Sequence, residues 1–212
     1  LSAPLEDDIR GGAEMNAEPR LPLRFPTGLA ATADRLYVSD TGHHRVLECT
    51  HGGRILRQFG LGTADMVNGS ASEATFNRPR GLALGRDVLY VADTGNHAIR
   101  RIGTDGQVTT LAGGEQGHAD GPATQARFDA PMGVAVDAQG QVYVADTFND
   151  RIRVIGTDGS VRTLAGGDRP GFADGVGAAA RFDTPVALAF DAQGALLVAD
   201  LFNNAVRRVG AD

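Results

Sequence analysis

The 212-residue chain contains no lysine, no tryptophan and a single cysteine, Cys49. One cysteine cannot form an intrachain disulfide, and it excludes both a zinc cluster built on several thiolates and a two-cysteine redox pair. We therefore expect Cys49 to be a small buried hydrophobic residue. The sequence also lacks any run of the roughly 18 to 20 consecutive apolar residues that a membrane-spanning helix requires. These absences predict a compact domain without disulfides, thiolate metal sites or a membrane partner.

All 20 basic residues are arginine, and the formal net charge is −6 at pH 7. Because phosphate binding draws on clustered cations, this excess of acidic residues argues against a nucleic-acid partner. Three tyrosines and no tryptophan also provide few platforms on which bases could stack. The first 20 residues contain no apolar run flanked by positive charge, but the chain begins at Leu1 rather than methionine, so its cellular location stays open.

The sequence repeats itself four times at intervals of 53, 53 and 54 residues. Each copy contains one version of the same segment: LYVSDTGHHRVLE, LYVADTGNHAIRRI, VYVADTFNDRIRVI and LLVADLFNNAVRRV. The shared aspartates are Asp40, Asp93, Asp146 and Asp200. A proline opens each copy and is followed by a short apolar run. A fixed period of this length is typical of repeat architectures.

Each copy contains four short apolar runs separated by turn residues, which is the pattern of β-strands. In the third copy the four predicted strands lie near residues 132–137, 141–145, 151–156 and 160–165. Tight turns with glycine join them, which predicts an antiparallel sheet. Because the runs are apolar on both faces, each sheet must pack between two others, as the blades of a β-propeller do. The small residues Ala83, Ala135 and Ala189 place the first strand of each copy beside the propeller axis.

The repeated unit has the form VYVADTxNxxIR, preceded by P-x-G-[LV]-A and followed by T-D-G-x-V-x-T-L-A-G, over about residues 23–210. It closely resembles the NHL repeat. The insertions GHADGPATQARF and GFADGVGAAARF are similar to those of NHL proteins with an upstream thioredoxin-like domain, for which this sequence has no counterpart. The resemblance implies an all-β propeller of four-stranded antiparallel blades.

We expect the propeller to span residues 23–212 and residues 1–22 to be a linker or a closing strand. The four predicted blades cover residues 23–60, 76–113, 128–166 and 182–210. NHL propellers usually have six blades, so four copies predict a fragment of a six-bladed propeller or an unusual closure. An unclosed arc exposes one apolar sheet face at each end. We therefore expect either self-association through the end blades or closure as a four-bladed ring.

Residues present in every copy are expected to serve the blade. The four shared aspartates fall at one turn position, where a carboxylate accepts hydrogen bonds from nearby backbone amides, so we expect them to be structural. Three phenylalanines that end the insertions are expected to anchor the blades: Phe76, Phe128 and Phe182. The arginines of the third strands are expected to form a solvated edge with salt bridges: Arg100, Arg101, Arg151, Arg153, Arg207 and Arg208.

Residues that differ between copies are the candidates for ligand binding. In an antiparallel blade the turn between the second and third strands lies on the same face as the crossover to the next blade. Equivalent positions in these turns hold His44, His97, Asp150 and Asn204. His118 and Phe172 share one position in successive insertions, with Thr63 nearby in the first. We expect the six residues of the turns and the last two insertions to contact a ligand.

The sequence predicts no metal site, cofactor or catalytic residue. Zinc ligands lie at about 2.0–2.1 Å, whereas equivalent turns on adjacent blades should lie on the order of 10 Å apart. Each insertion contributes one carboxylate, from Asp65, Asp120 and Asp174, which falls short of the ligand spacing of a calcium loop. No nucleophile elbow, phosphate loop or pair of catalytic carboxylates is recognisable.

Three functions are open at this point, one of which is a sensor or structural module attached to another domain. The NHL resemblance implies a non-enzymatic scaffold that binds a protein or peptide through its loop-bearing face. The alternative is a metal-dependent lyase or a lactone hydrolase that uses the central channel, since related propellers include such enzymes. An enzyme needs histidine or acidic side chains on the inner strands, where the sequence has only Asp137 and Asp191 at the strand ends. We therefore prefer the scaffold, with a protein or peptide partner.

Overall fold

The computed structural model describes residues 22–210, which form four antiparallel sheets in the order of the sequence repeats. The first sheet contains β1 (Pro26–Ala31), β2 (Leu36–Asp40), β3 (Arg45–Cys49) and β4 (Ile55–Phe59). The second contains β5 (Pro79–Leu84), β6 (Val88–Asp93), β7 (Ala98–Gly103) and β8 (Val108–Gly113). Each sheet is one blade of a propeller, and the strands follow one another as a meander.

The third blade contains β10 (Gly133–Val136), β11 (Val142–Asp146), β12 (Arg151–Ile155) and β13 (Ser160–Ala165), with the short β9 (Gly121–Pro122) paired to its outer edge. The fourth contains β14 (Pro185–Phe190), β15 (Leu196–Asp200) and β16 (Ala205–Val209). The strands predicted for the third copy are confirmed, and their bounds agree within one residue. No helix in residues 22–210 is long and apolar enough to cross a membrane.

Short 3-10 turns connect the second and third strands of the first three blades, at Thr41–His43, Thr94–Asn96 and Thr147–Asn149. A further 3-10 turn, Gly177–Ala179, lies in the last insertion. The residue after each of the first three turns has a left-handed backbone, with φ near 53°. This conformation reverses the chain within four residues, so the third strand runs directly back along the second.

The first strand of each blade lies next to the first strand of its neighbour, which places these strands around the axis. The packing runs from β1 to β5, from β5 to β10 and from β10 to β14. The backbones approach closely: a Cβ atom at Gly133 would lie 2.9 Å from Cα of Ala187. Ala83 and Ala135 are buried in these strands. The small residues of the inner strands are therefore required by the close approach of adjacent blades.

Three apolar layers of the core lie between successive blades, and a smaller buried cluster of Val38, Leu47 and Cys49 lies in the first blade. In the middle layer, Ile99 and Ala112 of the second blade face Val144 and Ile155 of the third. Fully burying a side chain of this size contributes about 1.5–3 kcal/mol. Each layer also contains one completely buried phenylalanine from the preceding insertion: Phe76, Phe128 and Phe182. The expectation that these phenylalanines anchor the blades agrees with their burial.

Within residues 22–210 the blades do not close into a ring by strand packing. Successive inner strands pack extensively, and no contact of that extent joins β14 to β1. Val206, on the free face of the fourth sheet, is 72% exposed, whereas the equivalent Ile152 of the third sheet is completely buried. The four-bladed ring is therefore not formed by the described blades. The predicted linker or closing strand at residues 1–22 lies, apart from Pro22, outside the described residues.

Candidate binding face

The 3-10 turns and the insertions lie on one face of the propeller, as the strand order predicts. In the third blade, the side-chain nitrogen of Asn149 donates a hydrogen bond to the carbonyl of Gly117, at 2.8 Å. The backbone N–H of Phe148 donates to the carbonyl of Asp129. We call this surface the loop face. It consists of the turns 41–44, 94–97, 147–150 and 201–204 and the insertions 60–78, 114–130 and 167–184.

A completely buried aspartate lies beneath each turn of the loop face. Oδ1 of Asp146 accepts the backbone N–H of Asp129 at 2.7 Å, and Oδ2 accepts Asn149 at 2.9 Å and Nη1 of Arg153 at 2.7 Å. Asp93 has the corresponding partners in the second blade. Burial is the largest influence on these carboxyls, and it raises the pKa of Asp93 and Asp146 to about 6 against the opposing hydrogen bonds and arginines. Their structural role stays a prediction, tested below.

The expectation of a solvated arginine edge is wrong for Arg151, which is 8% exposed, and for a group of three arginines, one in each of the last three blades. Arg100 and Arg153 are completely buried, and the side chain of Arg207 is 10% exposed. The guanidinium of Arg153 donates to the carbonyls of Ala119 and Arg127 in the insertion, at 2.7 and 3.0 Å. Its central carbon also lies 5.1 Å from the centre of the Phe128 ring. Each of these three arginines fastens the preceding insertion to the blade.

The first blade lacks this arginine. Leu47 pairs with Val38 in the register in which Arg100 pairs with Val91 and Arg153 with Val144. In the first blade Arg45 instead binds Oδ2 of Asp40, at 2.7 Å. The buried arginine therefore occurs in the three blades that follow a described insertion.

The insertions align differently in the structure from the way their sequences suggest. Arg100 donates to Oδ1 of Asn68 where Arg153 donates to Asp120. Asn96 binds the carbonyl of Asp65 where Asn149 binds that of Gly117. Asn68, not Asp65, is therefore the counterpart of Asp120 and Asp174. The position shared by His118 and Phe172 is accordingly occupied in the first insertion by Met66 and not by Thr63.

His118 and Phe172 lie at the surface of the loop face. Nε2 of His118 is 3.2 Å from the hydroxyl of Thr163. Partial desolvation, followed by the charges of Arg151 and Arg153, lowers the pKa of His118, so the imidazole is neutral at pH 7. Phe172 is 63% exposed, and its ring centre lies 4.4 Å from the guanidinium carbon of Arg207. Both residues are accessible to a ligand, and their ligand-binding role stays a prediction.

Three of the turn residues proposed as ligand contacts bind the end of the insertion that leads into the next blade. Nδ1 of His44 accepts the backbone N–H of Arg78, and Nδ1 of His97 accepts that of Ala130, both at 3.1 Å. Oδ1 of Asp150 accepts the N–H of Thr184 at 2.8 Å. Asn204 occupies the same position in the fourth blade, with φ of 49°. These residues lie on the expected face, but the structure does not bring them together.

A threonine hydroxyl at the start of each of the first three 3-10 turns makes a second bond between blades. Oγ1 of Thr94 donates to the carbonyl of Pro131 at 2.7 Å, and Oγ1 of Thr147 donates to that of Pro185 at 2.8 Å. Leu201 stands at this position in the fourth blade and is exposed. The turns of the first three blades are thus fixed to the blade that follows.

Two exposed aromatic residues on the loop face were not singled out by the sequence analysis. Phe148 and Phe202 are 60% and 67% exposed, at the position that Gly42 and Gly95 occupy in the first two turns. A side chain at Gly95 would collide with Asn77, because its Cβ would lie 2.5 Å from Cγ of Asn77. The sequence does show this position as variable within a repeated turn. Its middle residue changes from glycine to phenylalanine in the series T-G-H, T-G-N, T-F-N and L-F-N.

A cleft of about 600 Å³ runs along the inner strands and reaches the loop face beside these two rings. We call it the axial cleft. Apart from glycine and alanine, it is lined by Thr27, Leu29, Arg80, Leu82, Met132, Val134, Phe148, Thr184, Val186, Leu188, Leu201 and Phe202. A mainly apolar cleft of this volume with few polar groups is typical of ligand-binding sites.

Residues 22–210 contain no group of three or more histidine, cysteine, aspartate or glutamate side chains placed to hold a metal ion. His44 and His97 have their Nδ1 atoms engaged by backbone amides of different blades. The polar side chains that line the axial cleft are those of one arginine, Arg80, and two threonines, Thr27 and Thr184.

The sequence profile of the NHL repeat matches residues 23–49, 76–102 and 128–155. Each match begins at or shortly before the first strand of a blade and ends in its third strand. The chain belongs to the NHL-repeat β-propeller family. The fourth NHL blade, outside these three matches, repeats the same register, since Asp200 and Arg207 have the contacts of Asp146 and Arg153.

Two curated proteins illustrate the similarity to this NHL chain. NHL repeat-containing protein 2 of Bos taurus is 41% identical over 90% of the chain, and the chain covers 39% of that protein. Protein SUPPRESSOR OF QUENCHING 1, chloroplastic, of Arabidopsis thaliana is 32% identical over 83% of the chain, which covers 18% of it. The NHL chain thus spans less than half of these relatives.

Among solved structures, a structural genomics protein of unknown function from Bacteroides thetaiotaomicron superposes with a TM-score of 0.71. The superposition covers 86% of this chain and 46% of that one, with 22% sequence identity. At this identity the similarity extends to the propeller fold alone.

Proposed function

We propose that this NHL propeller is a non-enzymatic scaffold that binds a protein or peptide partner on its loop face, at the mouth of the axial cleft. The observation that carries the proposal is the exposure of Phe148 and Phe202 beside an apolar cleft. Two large rings in water contribute little to folding, whereas exposed aromatic residues at the rim of a pocket are typical anchors of protein interfaces.

The turns that present these rings are held rigidly. The backbone N–H of Phe202 donates to the carbonyl of Asp183, as that of Phe148 does to Asp129. The buried aspartate and arginine beneath each of these two turns form hydrogen bonds with the insertion that precedes the blade. A rigid turn loses little conformational entropy when a partner binds, and this favours affinity.

The outer part of the proposed surface consists of His118 and Phe172 on successive insertions. His44, His97 and Asp150 are included through the parts of their side chains that remain accessible at the blade junctions, and Asn204 through its position at the free end. A neutral His118 beside Arg151 and Arg153 offers hydrogen bonds without requiring an anionic partner. We therefore expect the surface to take an apolar segment with polar flanks.

The free face of the fourth sheet is a second proposed contact surface. Val206 occupies the place of Ile152 and Ile99, both of which are completely buried against the following blade. A sheet face of this kind matches the packing of another blade, so we propose that two copies of the chain associate through it. This surface adjoins the last insertion, because Phe172 and Val206 line one cavity, and it is tested by a variant of its own.

The partner-binding proposal is tested by selecting peptides from a display library on the purified chain and measuring affinity for one selected synthetic peptide. The double variant Phe148→Ser/Phe202→Ser is expected to bind it at least about tenfold more weakly, since removing anchor residues costs about 2 kcal/mol or more. Ile55→Ser is the matched control, because Ile55 is also exposed but follows a hairpin at the opposite rim.

An unchanged melting temperature in the double variant separates a binding effect from unfolding. Equal affinity of the wild type and the double variant contradicts the proposal. Stoichiometric zinc or calcium in the purified protein, together with lyase or lactone-hydrolase activity, would instead support the enzyme alternative.

A further inference from the structure

The residue that follows the opening proline of each blade lines the axial cleft. The ladder between the first and second strands is irregular at this point, between Pro79 and Leu82 in the second blade and between Pro26 and Gly28 in the first. Such a bulge turns one side chain away from the sheet. The four residues at this position are Thr27, Arg80, Met132 and Val186, and all of them line the cleft.

These four side chains differ in every copy, although the proline before them is constant. The buried core does not require a particular residue there, because a threonine, an arginine, a methionine and a valine are all accommodated. Each blade therefore contributes one side chain to the axial cleft at this position, and the identity of that side chain can vary. The chemistry of these four side chains is decided by the one charged member, Arg80.

Arg80 is the single charged residue among those that line the cleft. Its Nε is buried and has no hydrogen-bond partner, and within residues 22–210 its guanidinium forms no ion pair. Arg100 and Arg153, by contrast, each bind a buried aspartate. A buried donor without an acceptor costs about 1–3 kcal/mol, so a ligand that supplies the acceptor is favoured.

We propose that the axial cleft binds a peptide carboxylate flanked by apolar side chains, with Arg80 as the cation that holds it. This inference rests on the proposed function and specifies the chemistry of its ligand. A guanidinium binds a carboxylate through two parallel hydrogen bonds. One unpaired cation also matches the single charge of a carboxylate better than the −1.5 to −2 charge of a phosphate group.

The carboxylate has two sources, the C-terminus of a peptide or the side chain of aspartate or glutamate. Three probes distinguish them: N-acetyl-Leu-Phe-Leu as the free acid, the same peptide as the C-terminal amide, and the amide of N-acetyl-Leu-Glu-Leu. Binding is followed on the full chain by the ¹³C-methyl signals of its methionines. Met132 lies in the cleft and reports binding there, whereas a shift confined to Met66, on the first insertion, would report contact elsewhere on the loop face.

The free acid or the glutamate peptide is expected to shift the Met132 signal with at least about tenfold higher affinity than the uncharged amide. Arg80→Met should bring this ratio to about 1, and Arg80→Lys should retain part of it. Equal affinity of all three probes for the wild type, or an unchanged ratio in Arg80→Met, overturns the inference.

The same titrations separate this inference from the proposed function. Equal binding of acid and amide that is lost in Phe148→Ser/Phe202→Ser overturns the role of Arg80 and leaves the binding face supported. Failure of every probe to shift Met132 overturns the carboxylate site, and the selected peptide then decides the proposed function by itself.

Discussion

Nη1 of Arg153 lies 2.7 Å from Oδ2 of Asp146, and both side chains are completely buried. This contact joins the second and third strands of one blade. The same guanidinium reaches the carbonyls of Ala119 and Arg127 in the insertion that precedes the blade. Removing two charges from water is costly, so the pair is retained where further hydrogen bonds satisfy the remaining polar atoms. The loop face is thus built on a buried ion pair that recurs in three blades.

Replacing Arg153 by methionine is expected to lower the free energy of unfolding by about 3–5 kcal/mol, because Asp146 would keep a buried carboxyl group without its cation. Urea unfolding measures the loss. Arg101→Met is the matched control on an exposed arginine, and its effect should be within about 0.5 kcal/mol. A loss at Arg153 no greater than at Arg101 would show that the pair does not hold the blade.

The raised pKa values of Asp93 and Asp146, about 6 in the folded protein, predict a specific pH dependence. Because the folded state binds these protons more tightly than the unfolded state, the contribution of both groups to stability should fall as the pH rises from about 4 to about 6. The free energies of unfolding of the wild type and of Asp93→Asn/Asp146→Asn are compared across this range. A difference that grows in favour of the wild type with rising pH would show that ion pairing outweighs burial.

The free face of the fourth sheet predicts concentration-dependent association. Val206→Asp places a charge on that face and should reduce dimer formation in sedimentation velocity experiments. Leu61→Asp is the control, because Leu61 is 57% exposed but lies on the first insertion, outside the fourth sheet and the cavity that Val206 lines. A wild-type chain that stays monomeric at every concentration tested contradicts the proposed contact.

The repeat determined how much of the fold could be predicted. Four copies of strands that are apolar on both faces must pack against one another, and the shared aspartates set the register of each copy. The burial of Arg153 could not be predicted in the same way, since its acceptors come from Ala119 and Arg127, 34 and 26 residues earlier in the chain. A charged side chain is ordinarily expected in water unless such partners are known.

The candidate site was predicted less completely than the fold. The insertion sequences suggested aligning Asp65 with Asp120, and only the hydrogen bonds of Asn68 and Asp120 show the correct register. In the sequence, Phe148 and Arg80 can be recognised as residues at positions that differ between copies, within segments that the copies share. Their exposure and their position at the cleft depend on the arrangement of the blades around the axis, which one repeat by itself does not determine.

The central claim is that a partner binds the loop face at the axial cleft. Hydrogen–deuterium exchange with and without the selected peptide tests it most directly. We expect slower exchange in the turns 147–150 and 201–204 and no change in the hairpins 104–107 and 157–159 at the opposite rim. Protection confined to those opposite hairpins, with the two turns unaffected, would contradict the account.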